Sequence, residues 1–253
     1  MKHANKNTQK TQTPPAHNCI KHNNMVIPVD QSYLSLNNAG VQLFIDGDCR
    51  TAAKYFQESL VVLKQMAAQL SVVSHNRSKF DEESSLGFTL LEAVAFPEKL
   101  SFGNWDGSTF MYSVPFLLQE RVLFGERELS FYSSIVLFNL ALCFHKRGIK
   151  GHSKLIQQAL NLYMFTLQLL ADSDARPSPA ALMVEALVLN NKANCHYELC
   201  DIAAEHDTAE RLVDILTMGV LQPKHGFPRA IIEELIINSS IILDMGRRAA
   251  EAA

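Results

Sequence analysis

The chain has no Gly-rich phosphate loop, no GxSxG elbow, no HExxH pair and no paired-carboxylate motif. No nucleotide cradle, hydrolase elbow or zinc-protease helix is therefore legible in it. Catalytic triads assemble in space, so an enzyme with an unrecognised site stands as an alternative, its pocket placed under residues 86–120. CxxC spacing is absent too: Cys19, Cys49, Cys143, Cys195 and Cys200 are odd in number and spread out. Cys195, His196 and Cys200 lie close in sequence, but positions five apart on a helix face different ways, and zinc needs about four convergent ligands. No metal or cofactor is expected. An apolar stretch fit for a secretory signal is also missing, which with unpaired thiols predicts a cytoplasmic or nuclear protein. The uncharged run Leu129 to Phe144, up to the histidine that follows it, is shorter than the ~20 residues that span a bilayer and carries Ser130, Ser133, Ser134 and Asn139. It reads as a helix buried on most sides, and no membrane partner is expected.

What is present is enough for a core: 253 residues, 47% of them apolar. A net charge of −3 argues against a general polyanion binder, so a nucleic-acid partner is not expected. Residues 1–29 hold Lys2, Lys6, Lys10 and Lys21 and no carboxylate, which leaves 19 basic against 26 acidic groups, −7, on the rest. With Pro14-Pro15 and few large apolar groups, residues 1–30 are expected to form a disordered basic tail.

Beyond the tail, helical periodicity dominates. In LNNAGVQLFIDGDCRTAAKYFQESL (residues 36–60), Gly40 lets two helices approach, Gly47-Asp48 turns sharply, and Ala52, Phe56 and Ser59 share a face of the next helix. Residues 126–148 carry two apolar stripes, the mark of a central helix, and a partner follows through Ile156, Ala159, Tyr163 and Leu170. A third pair begins at Pro179 with the stripe Leu182, Ala186, Leu189, Ala193, Tyr197 and Cys200, and a last helix is predicted over about 229–248. Between the first and second pairs, 74–128 is an insertion. Its two apolar stretches, with Pro97 and Pro115, suit either an edge-like hairpin or an extended segment packed on the helices.

The 36–60 stretch resembles one tetratricopeptide (TPR) repeat, a helix-turn-helix unit of 34 residues. Asn139 and Ala141 take the places of Asn38 and Gly40 in a second unit, with one extra turn residue needed for register. Asn191 and Ala193 take them in a third, where the Gly-Asp turn and the aromatic are missing. The resemblance implies an all-α, TPR-like superhelix over 31–250, of about three helix pairs plus a capping helix.

It also implies a non-catalytic scaffold that binds a peptide or protein segment along its concave face. Carried over by position, Asn37, Val41 and Phe44, then Phe138, Leu142 and His145, then Asn190, Asn194 and Tyr197 would line that groove. Clamps for a C-terminal carboxylate use cations, and Asn37, Val41 and Asn191 at the matching places argue against one. The expected groove is neutral, amide-rich and edged with aromatics. A second reading makes the chain an assembly subunit that docks or self-associates through the apolar 86–120 insertion. The sequence leaves open whether that insertion covers the groove, which would block peptide binding.

Overall fold

A computed structural model describes residues 32–74, 94–95, 111–119, 126–173, 178–217 and 229–251. The tail at 1–30 and most of the 74–128 insertion lie outside these described residues. Within them the fold is all-α: α1 (Tyr33–Ile45), α2 (Cys49–Ser74), α3 (Glu126–Gly148), α4 (Ser153–Ser173), α5 (Pro179–Glu198), α6 (Ile202–Thr217) and α7 (Arg229–Glu251). One short antiparallel pair joins β1 (Val94–Ala95) to β2 (Leu117–Leu118), with Val94 opposite Leu118 and Ala95 opposite Leu117. Both forms expected of the insertion are therefore in part present, a minimal ladder and an extended segment.

Local chemistry sets the helix starts. Ser32 and Ser178 accept from the backbone N–H three residues on, and Pro179 follows Ser178 at the first helical position. Asp48 does the same for α2 through Thr51, and Asp201 for α6 through Ala204. Each helix packs on the next, and α1 also meets α3, α3 meets α5, and α5 meets α7. The odd-numbered helices thus form one layer. By length and composition α3 is apolar enough to cross a membrane, yet 72% of that window is buried against its neighbours, as a central core helix would be.

The contact between α1 and α2 explains Gly40. A Cβ there would sit 2.7 Å from the Phe56 ring, so only glycine admits the aromatic. Ala193 and Ala209 stand at the same separation in the third pair, and Ile242 of α7 packs against both. The aromatic missing from that pair is thus replaced by a side chain from the last helix. The register of the second pair needs correction: Asn38 lies ten residues before Asp48 and Asn191 ten before Asp201, whereas thirteen separate Asn139 from His152. Three residues are extra, because α3 runs further past its asparagine and its turn is longer.

A second correction concerns Cys200, expected on the α5 stripe. It sits in the turn, exposed, at φ +59°, and does for α5 what Gly47 at φ +90° does for α1. Both turns close with the same bond, Asp48 N–H to Leu43 C=O at 2.9 Å and Asp201 N–H to His196 C=O at 2.9 Å. Cys200-Asp201 is the Gly-Asp turn in another spelling. A left-handed backbone costs an L-residue roughly 1–2 kcal/mol, against roughly 0.5–1 kcal/mol for the extra chain entropy of glycine. Cys200→Gly should therefore raise stability by about 0.5–1 kcal/mol, read as a higher urea midpoint at unchanged slope.

Candidate functional site

An extended segment, residues 111–119, lies across α5, α3 and α1, and asparagines from those helices hold its main chain. Asn191 of α5 accepts from the Tyr112 N–H at 2.7 Å and donates to the Tyr112 carbonyl at 2.9 Å. Asn139 of α3 does both for Phe116, each at 2.8 Å. Asn38 of α1 does both for Leu118, at 2.9 and 2.8 Å. In an extended chain the N–H and C=O of one residue point to the same side, and alternate residues share a side. A carboxamide offers one acceptor and two donors, so each asparagine acts as a neighbouring strand would. Six residues of strand cover roughly 20 Å, and two helix spacings of 8–10 Å cover about the same. That match lets residues 112 and 118 meet asparagines two helices apart.

The clamp residues also bind one another. Asn139 donates to Asn37 Oδ1 at 2.9 Å, and Asn37 donates to the Phe116 carbonyl and to Asn38 Oδ1, both at 3.1 Å. Asn190 donates to Asn191 Oδ1 at 3.2 Å and accepts from Asn238 of α7 at 3.0 Å. Around this polar line the segment's side chains are buried. Phe116 and Tyr112 lie 5.3 and 6.3 Å, centroid to centroid, from Phe138, which lies 6.0 Å from Tyr163. Apolar burial thus supplies adhesion, and the amides satisfy a backbone that burial would otherwise leave without partners.

A branch of the network runs deeper. Asn191 donates to Tyr163 Oη at 3.1 Å; Tyr163 Oη lies 3.2 Å from His145 Nδ1, and His145 Nε2 lies 2.9 Å from Asn194 Oδ1. Since Asn194 Oδ1 only accepts, Nε2 carries the proton and Nδ1 accepts from Tyr163. Cys195 Sγ is within 3.7 Å of the same ring. A Cys-His-Asn trio has the makings of a nucleophile and its base, but here burial pushes the His145 pKa down to about 4 and the Cys195 thiol pKa up. Both shifts oppose the thiolate–imidazolium pair that such chemistry needs. The trio is a neutral cluster that packs behind the clamp. Among the described residues no group of three His, Cys, Asp or Glu is placed to hold a metal.

Of the nine residues carried onto the groove, Asn37, Val41, Phe44, Phe138, Leu142, His145, Asn190 and Asn194 are buried, and Tyr197 is 45% exposed. Asn37 bonds the segment directly by side chain, and Phe138 lies ring to ring against it. Val41 and Phe44 belong to the main core, as does Leu142. His145 and Asn194 form the deeper branch, Asn190 braces Asn191, and Lys146 lies 4.6 Å over the Phe44 ring. Asn38, Asn139 and Asn191, which make the two-point contacts, were not among the nine. Their signal is in the sequence: an asparagine two residues before the small residue in all three units.

Asn139→Ala should destabilise the fold by about 2–4 kcal/mol, because it strands the Phe116 amide and Asn37 in a buried site. Chemical denaturation measures this directly. His145 gives a pH signature. Its folded pKa lies below the ordinary 6.5, so its contribution is fully present above pH 6.5 and is lost as pH falls toward 4. That loss is about 3 kcal/mol, and His145→Gln should flatten the stability curve across this window. No protein-family model, curated protein or solved structure matches this chain, so its functional reading rests on the clamp itself.

Proposed function

We propose that this chain is a non-catalytic, TPR-like helical-repeat scaffold that binds a protein segment in extended form along the groove of its odd-numbered helices. One observation carries the reading: three asparagines at equivalent places in successive helix pairs each grip both the N–H and the C=O of an extended residue. Recognition of this kind reads peptide backbone, and side-chain pockets add selectivity. The gripping groups are neutral amides, so affinity depends little on salt. Free thiols at Cys49, Cys143, Cys195 and Cys200 support a reducing compartment, the cytoplasm or nucleus.

The assembly reading gains less support. It needs apolar side chains of the insertion at the surface, whereas among the described residues of 86–120 Met111, Tyr112, Phe116 and Leu118 are buried against the helices. For the enzyme reading, the one Cys-His-Asn trio found among the described residues, at His145, is closed and neutral.

Selection of random 12-residue peptides on the full-length protein tests the proposal. The expected binders lose affinity by about tenfold or more for Asn38→Ala, a partly exposed clamp residue whose loss removes two backbone bonds. Binders indifferent to Asn38→Ala would place recognition outside the groove.

A further inference from the structure

The groove in which the scaffold would receive a segment is already filled by one of the chain's own. Three features bear on whether that occupant is a fixture. All six two-point clamp bonds go to main-chain atoms, so the polar grip is blind to the identity of the residues it holds. The clamp also keeps a frame of its own. The bonds of Asn37 with Asn139, Asn37 with Asn38, Asn190 with Asn191, and Asn191 with Tyr163 include no atom of the segment. Lastly, the helix stack does not run through the segment: consecutive helices pack directly on one another, and among the described residues β2 pairs with the two residues of β1. Exchange of the occupant has to withdraw Tyr112, Phe116 and Leu118 from the main core and reseat three side chains there.

We propose that the groove is a docking site for an extended segment of a partner protein, and that residues 111–119 are a tethered competitor which the partner displaces. The chemistry of the partner follows from the seats now taken. It presents two aromatic residues four apart and an aliphatic residue two further on, as Tyr112, Phe116 and Leu118 do, all three buried in the groove. The gripping groups are neutral amides, and at the Tyr112 seat burial first and the nearby Glu234 of α7 second keep the phenol protonated, so an uncharged side chain suits it. A competitor on the same chain acts at an effective concentration in the millimolar range, so only a tight or locally concentrated partner enters. This inference rests on the peptide-scaffold reading.

The probe is a fluorescent peptide with the sequence of residues 109–121, TFMYSVPFLLQER. It is titrated into the full-length chain and into a full-length variant carrying Tyr112→Ser, Phe116→Ser and Leu118→Ser, whose helicity is checked by circular dichroism. The expected result is binding to the variant about 100-fold tighter than to the wild type, with saturable binding to the wild type at high peptide. If the variant binds and the wild type excludes the peptide at every concentration, the strand is permanent and displacement falls while the scaffold reading stands. If the folded variant does not bind, the scaffold reading falls with it. Should the variant fail to fold, amide exchange in the wild type decides. Opening of the Phe116 amide well below the global unfolding free energy supports displacement, and exchange only through global unfolding overturns it. A wild-type chain that trades strands into dimers overturns the assignment to a partner protein and puts a second copy in its place.

Discussion

A buried main chain must find partners for every N–H and C=O, and here the described sheet beside the buried segment is a ladder of only two residues. The solution is a row of carboxamides, one from each of three helices, spaced so that they meet residues 112, 116 and 118 on one side of the segment. The rest of the structure serves that spacing. Gly40 sets how closely α2 approaches α1, the Gly47 and Cys200 turns fix where each pair reverses, and the contacts among α1, α3 and α5 set the interval between asparagines. A half-built version of this network would cost more than an apolar core, because every orphaned amide would be desolvated without return. In the clamp, each asparagine has both ends of its carboxamide engaged.

The polar line is also kept electrically neutral. His145 is held in its uncharged form by burial, and Asn194 fixes which ring nitrogen carries the proton. Cys195 beside it keeps its proton for the same reason. Neutrality lets amides, a phenol, an imidazole and a thiol share a buried region without the desolvation penalty of a buried charge. Cations gather elsewhere: Arg50, Arg147, Lys150 and Lys154 border an open depression near the turn between α3 and α4.

The helices were largely legible because their signals are local. The 126–148 stretch reads as α3 from its two apolar stripes and its closing glycine, and Pro179 marks the start of α5. The third turn was less legible because a left-handed residue was sought as glycine and cysteine occupies it. Its missing aromatic could not be resolved locally either, since Ile242, which meets Ala193 and Ala209, comes from α7. At the site, the recurring Asn38, Asn139 and Asn191 were visible as a pattern, yet their function depends on a strand some 80 positions away in sequence from two of them. Positions copied from a repeat say which helix face turns inward. They do not say what lies against it, and here residues 111–119 turn much of an expected open face into core.

The central claim is that carboxamide and strand backbone form a direct energetic pair, and an amide-to-ester replacement at Phe116 tests it most directly. The ester removes one N–H and leaves the side chain in place. Combined with Asn139→Ala in a double-mutant cycle, it should show a coupling of about 1–2 kcal/mol, because each change removes one half of the same bond. Additive effects, with no coupling between the two changes, would contradict the clamp and return Asn139 to the status of an ordinary buried residue.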